Sequence, residues 1–123
     1  MKTIAIVCQV VIALGILNVW VARQGRPTPW RPEGARNMAE EFARYGYPDW
    51  MRKLVGAAKI VLAALLVIGI WYPPLAAGAG AAMAILMAGA VVSHLRIGDP
   101  LRKSLPSFTL LLLSLFIAYA NGV

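Results

Sequence analysis

Within "LVGAAKIVLAALLVIGIWYPP", residues 54–74, Lys59 is the one charged side chain and lies about two helical turns inside an apolar run. An ammonium group at that depth of a bilayer-length helix costs roughly 2.5–3.5 kcal/mol on insertion scales, so it needs a partner or a use. A desolvated lysine can act as a base or stabilise developing charge. Lys59 follows Lys53 by six residues, roughly 9 Å along a helix axis. Asn18 is a similar distance in from Arg23, and His94, the single histidine, stands two residues before Arg96. Three polar groups from three segments thus reach a similar depth, and a shared polar pocket is expected. The alternative is that Lys59 snorkels alone to the headgroups along its four-carbon stem, with His94 an interfacial histidine bonded to a neighbour. Gly80, Met83, Met87 and Ala90 lead toward His94, and methionines suit either a cavity for an irregular lipophilic ligand or plain core filling. Lys59 and His94 are therefore the candidate catalytic residues. Asn18, Lys59, Met83, Met87 and His94 are the candidate ligand-binding set.

Other chemistries lack their residues. One cysteine and one histidine cannot build a zinc site, and Cys8 reads as a small buried hydrophobe. No nucleotide-binding loop or haem motif is present, so neither a metal nor a cofactor is expected. The net charge of +7 could suggest nucleic acid, but the placement of the charges points to a bilayer instead.

The elements that would position these residues follow from composition. Of 123 residues, 60% are hydrophobic and 14% charged, outside the range of soluble domains. Four apolar runs, about 3–22, 54–72, 75–95 and 105–120, approach the ~20 residues a spanning helix needs, and none alternates as a barrel strand would. Lys2 and "VWVA" would also suit a signal peptide; the first run is expected to be retained as a span. The expected fold class is all-α: a polytopic membrane protein forming one domain, an antiparallel four-transmembrane-helix bundle. Loop 23–53 carries Arg23, Arg26, Arg31, Arg36, Arg44, Arg52 and Lys53, and the loop before the fourth run adds Arg96, Arg102 and Lys103. The positive-inside rule then puts both loops in the cytoplasm and both termini outside a plasma membrane. Trp20, Trp30 and Trp50 are expected near the inner interface, with Trp71, Tyr72 and Tyr119 near the outer one.

Within the long loop, "RQGRPTPWRP" should be extended because of its prolines. Residues 33–46 repeat apolar positions at helical spacing (Ala35, Met38, Ala39, Phe42, Tyr45) and read as an interfacial amphipathic helix, ended by Gly46 and Pro48. Asp49 is expected to cap the second span, and Asp99 and Ser104 offer two starts for the fourth. Small residues at Ala76, Gly80, Ala84 and Ala88, at Gly56 and Ala63 beside Lys59, and at Ser107, Ser114 and Ala118 mark packing faces.

"LNVWVARQGRPTPWR", "NMAEEFARYGYPDWMRKLVGAAKI" and "SHLRIGDPLRKSLP", in this order and spacing, resemble the DoxX-like family of small bacterial four-helix membrane proteins. The resemblance covers nearly the whole chain and implies a bundle in the bacterial plasma membrane. It further implies association with respiratory or sulfur-compound oxidoreductases, usually as an accessory subunit. Many such proteins carry an acidic residue where this chain has Lys59. The expected function is accordingly an accessory or scaffold subunit that binds a quinone-like or other lipophilic small molecule. Its expected partners are the lipid bilayer and either further copies of itself or a membrane oxidoreductase, with no nucleic acid. The alternative is a small cofactor-free isomerase or lyase acting on a lipophilic substrate through Lys59 and His94. A transporter or channel subunit is the weakest reading.

Overall fold

The computed structural model describes residues 2–122, and the described residues contain helices and no strand. Five α-helices follow one another: α1 (Lys2–Leu17), α2 (Met38–Tyr45), α3 (Asp49–Ile68), α4 (Pro73–Arg96) and α5 (Leu105–Ala120). A widened π-helical turn, Asn18–Ala22, prolongs α1, and a 3-10 turn, Leu101–Ser104, leads into α5. Three stretches are long and apolar enough to cross a membrane: Lys2–Ala22, Pro73–Arg96 and Leu101–Ala120. With 20 residues α3 has comparable length, but it carries Asp49, Arg52, Lys53 and Lys59.

Successive long helices run antiparallel, so one end of the molecule gathers the long loop 23–48 and the 97–104 linker. The other end gathers the tight 69–72 turn and the described termini. These are called below the loop end and the turn end. Around the ring, α1 packs on α3, α3 on α4, α4 on α5, and α5 returns to α1. The shared interior holds Ile12, Ile16, Leu66, Met83, Met87 and Ile117, none more than 2% exposed.

Close approach at the turn end depends on small residues. A Cβ added to Gly80 would lie 3.1 Å from the Ala118 nitrogen and the Ser114 carbonyl oxygen, so α4 and α5 meet backbone to backbone there. Ser114 needs no partner across this interface because its hydroxyl donates to the Leu110 carbonyl at 2.7 Å. Gly69 sits equally tightly on Ala76 in the turn, where an added Cβ would fall 2.8 Å from backbone. Gln9, 1% exposed on α1, donates from Nε2 to the Leu66 carbonyl at 2.7 Å. Leu66 is in the last turn of α3, whose carbonyls run out of intrahelical donors; Ile70 bonds Val67 instead. A polar residue in an apolar run thus closes the end of a neighbouring helix.

Several local expectations change. The helix expected over 33–46 occupies Met38–Tyr45, because Pro32 and the left-handed Gly34 (φ 86°) hold the chain in a turn until Asn37. Asn37 then caps α2, its side chain accepting from the Glu40 amide at 2.8 Å. Gly46 (φ 85°) ends the helix, and the amides of Gly46 and Tyr47 close onto the carbonyls of Ala43 and Phe42. Asp49 does not cap α3; its carboxylate takes the Arg52 guanidinium at 2.7 Å. Ser104 makes no cap bond to α5. Trp20, expected as an interfacial aromatic, is buried, whereas Trp30, Trp50, Trp71, Tyr72 and Tyr119 are exposed.

Candidate functional site

At the loop end the helices do not close. A cavity of about 900 Å³ lies between them, roofed by the long loop and α2, within the usual size range of ligand sites. Its lower wall is apolar, with Val11, Ile85, Leu86 and Leu110. Val11, Ile85 and Leu105 are also exposed on the outer surface, so the cavity is open on its apolar side. Its upper wall is polar, with Lys59, Tyr45, Glu41 and His94 among the lining groups.

Lys59 reaches this wall because of the size contrast at the α1–α3 contact. Gly56, one turn before it, leaves room for the Trp20 indole; a Cβ there would fall 2.7 Å from the ring. The widened turn after α1, in which the Arg23 amide bonds the Asn18 carbonyl at 2.8 Å, carries this inward Trp20. The Lys59 ammonium then lies over the indole, 5.2 Å from its centroid. Lys59 is 7% exposed, and among the described residues it has no hydrogen-bond or ion-pair partner.

His94 is fixed from both sides. Nδ1 is 2.7 Å from the Asp99 carboxylate and Nε2 is 3.1 Å from the Tyr45 hydroxyl. That hydroxyl is also 3.0 Å from Glu41, whose other oxygen takes the buried Arg31 guanidinium at 3.1 Å. Tyr45 donates to the Glu41 carboxylate, and each imidazole nitrogen of His94 is held by a neighbour. Asp99, expected as a helix cap, instead orients His94. Burial first, and then the neighbouring Glu41 charge, hold the Tyr45 phenol above its ordinary value. A second tie runs beside it: Tyr47 donates to Ser93 at 2.8 Å while Ser93 donates to the Gly89 carbonyl.

Arg31 organises the roof. It donates to the Arg23 carbonyl at 2.7 Å, the Arg26 carbonyl at 3.0 Å and Glu41, and so folds the proline-rich segment back on itself. Lys103 joins the α4–α5 linker to the same segment through the carbonyls of Pro29 and Arg31. Phe42 packs edge-on against Trp20 at 5.8 Å and Tyr45 edge-on against His94 at 5.4 Å, so α2 presses its apolar face onto the turn that prolongs α1 and the top of α4.

The residues singled out from sequence divide as follows. Lys59, His94, Asn18 and Met87 line the cavity, while Met83 is packed into the core and does not. Asn18 is exposed at the rim, where its side chain accepts from Arg23 at 3.1 Å and makes no bond to Lys59 or His94. Trp20, Arg31, Glu41 and Tyr45 were not singled out. Arg31 is one basic residue among seven in its loop, and nothing in its spacing marks it as the buried one. The repeat that places Phe42 and Tyr45 on one face of α2 was visible, but not what that face meets. No group of three or more potential metal ligands occurs among the described residues.

An uncharacterized protein of Bacillus subtilis (strain 168), YdgD, is 38% identical over 56 residues, which is 46% of this chain and 49% of that relative. The chain thus spans about half the length of the curated relative it matches. No solved structure matches. The model of the DoxX-like family matches residues 31–117, from the buried arginine of the roof to the core of the last helix, and the chain belongs to that family.

Proposed function

We propose that this protein is a four-span bundle of the bacterial plasma membrane that binds a lipophilic small molecule in the loop-end cavity, as an accessory subunit in oxidoreductase metabolism. In this reading α3 is the fourth span, since its charges apart from Lys59 fall within its first turn or so. The basic loop end faces the cytoplasm, the termini and the Trp71–Tyr72 turn face outward, and α2 lies at the inner interface. The observation that carries the binding reading is the cavity itself: an apolar lower wall continuous with the outer surface of the helices, under a polar roof. Asn18, Lys59, Met87 and His94 are the proposed binding residues from the sequence, and Trp20 and Tyr45 join them.

The alternative of a cofactor-free isomerase or lyase needs a proton-transfer group facing the substrate. The carboxylate–imidazole pair of Asp99 and His94 has the right components. Yet Tyr45 engages the second imidazole nitrogen, so both nitrogens already have partners. Binding is the reading this favours.

Decylubiquinone, as a quinone-like probe, and oleyl alcohol, as a neutral aliphatic one, are to be titrated into the detergent-solubilised protein while its thermal unfolding is followed. Gly89→Leu is the paired control, because Gly89 lines the cavity and an added Cβ there meets nothing within 4 Å. Stabilisation of the wild type by a probe, abolished in this variant, is expected. Equal responses of the two proteins would reject the cavity as the site. Orientation is tested in a Cys8→Ala background with Glu33→Cys or Tyr72→Cys. An impermeant thiol reagent applied to intact cells should label position 72 and not 33; the reverse pattern would invert the topology.

A further inference from the structure

The cationic groups in the cavity wall are not equivalent. Arg23, Arg31, Lys59 and Lys103 all line it, against a single carboxylate, Glu41. Glu41 is engaged by Arg31 and Tyr45. Arg23 is held by Asn18, Arg31 by Glu41 and three backbone carbonyls, and Lys103 by two more. Lys59 alone among them, 93% buried by its 7% exposure, has no acceptor, and the face of Trp20 covers one side of it. An ammonium has three N–H donors, and the Lys59 nitrogen keeps its exposure at the cavity wall, where it has no anion beside it and gains by pairing with an anion or acceptor oxygens. The cavity is where such oxygens can come from. Below Lys59 the wall turns apolar through Val11, Ile85, Leu86 and Leu110 toward the open side.

We infer that the ligand is an amphiphile with an anionic head group, carboxylate or phosphate, which pairs with Lys59 while its hydrocarbon tail lies along the apolar wall toward the bilayer. This rests on the lipophilic-ligand reading above and narrows its chemistry. Trp20 has a positioning role: it confines the Lys59 stem so that the ammonium faces the cavity. The excess of cations over carboxylates at the roof adds a favourable field for the same head group.

Four probes separate the possibilities in the full-length protein in neutral detergent: oleate, oleoyl lysophosphatidic acid, oleyl alcohol and decylubiquinone, each followed by equilibrium binding. The anionic probes should bind at least about ten-fold more tightly than oleyl alcohol, the lower range for pairing of close charges. Lys59→Met should remove that preference, Lys59→Arg should keep it, and Lys53→Met, at an exposed lysine, should not affect it. Tighter binding of the lysophosphatidic acid than of oleate identifies a phosphate head, and the converse a carboxylate; either supports the proposal. If oleyl alcohol or decylubiquinone binds the wild type as tightly as oleate, the anionic head group is wrong while the lipophilic cavity stands. A preference that survives in Lys59→Met also overturns the proposal. If none of the four binds, the cavity reading itself falls. The wild-type ratio of oleate to oleyl alcohol needs no variant, so the proposal remains testable should Lys59→Met fail to fold.

Discussion

Gly80 and Gly89 lie on the same helix, about two and a half turns apart, and the space in front of them differs completely. At Gly80 the backbone of α5 stands against α4 at 3.1 Å from where a Cβ would be; at Gly89 nothing lies within 4 Å. The turn end is made of small residues and aliphatic side chains, with Gln9 and Ser114 satisfied within the helices. The loop end is held apart by aromatic rings and by a charged clasp running from Arg31 through Glu41, Tyr45 and His94 to Asp99. Small residues let helices touch; large aromatic and ionic groups set them at a distance and leave a cavity beneath. One end provides cohesion and the other provides a site.

That division can be broken most directly at Gly80. Gly80→Leu should cost about 3 kcal/mol or more, since overpacking against backbone cannot be relieved by a side-chain rotation. Gly89→Leu should leave the unfolding temperature in detergent within a few degrees of wild type. Similar losses in both variants would erase the contrast between the ends.

Next in size is the clasp. Glu41→Ala leaves the Arg31 guanidinium, whose side chain is 2% exposed, without its carboxylate, and breaking a buried pair costs about 3–5 kcal/mol. The loss should be local. Hydrogen exchange should speed up across residues 23–48 and stay unchanged in α4 and α5 around Gly80. Uniformly faster exchange would mean that the two ends unfold as one unit.

Gln9→Leu addresses the turn end. It removes the donor to the Leu66 carbonyl, which should cost about 1–3 kcal/mol as an unpaired buried acceptor. The effect should appear as lower thermal stability with oleyl alcohol binding unchanged. Altered binding with unchanged stability would place Gln9 in the wrong region.

The smallest effect expected is that of Tyr45→Phe, about 1 kcal/mol for the lost hydrogen bonds. Its pH dependence is more informative. The Tyr45 phenol is raised above its ordinary value near 10 by burial and then by Glu41, with Asp99 adding to the shift and Arg31 opposing it. The neutral phenol therefore supports the fold fully below about pH 10, and that support is lost as pH rises above the unfolded value. Alkaline destabilisation of the roof should be shallower in Tyr45→Phe than in wild type when followed by exchange in residues 23–48. Identical slopes would show that Tyr45 ionises without consequence.

The runs of apolar residues marked the long helices, but α3 spans Asp49–Ile68 where 54–72 was expected, because charged residues can occupy the first turns of a helix and Gly69 begins the tight turn after it. α4 and α5 run almost as read, 73–96 and 105–120 against 75–95 and 105–120. Prolines, glycines and Asn37 supplied the turns, and α2 starts later than its apolar repeat suggests because Gly34 before it is left-handed. The burial of Lys59 was also legible, from Gly56 and Ala63 on the same stripe. Its neighbour was not: periodicity assigns a residue to a face but not the width of the gap opposite, and Trp20 filled that gap where Asn18 was expected. The partners of Asp99 and Arg31 were likewise invisible, since a carboxylate before proline serves as a cap or as an imidazole partner according to where the next helix brings its histidine. Local composition thus determined the elements and their order. Tertiary structure decided which end packs shut and which stays open, because that depends on pairs of residues far apart in sequence whose sizes and charges must match across a contact.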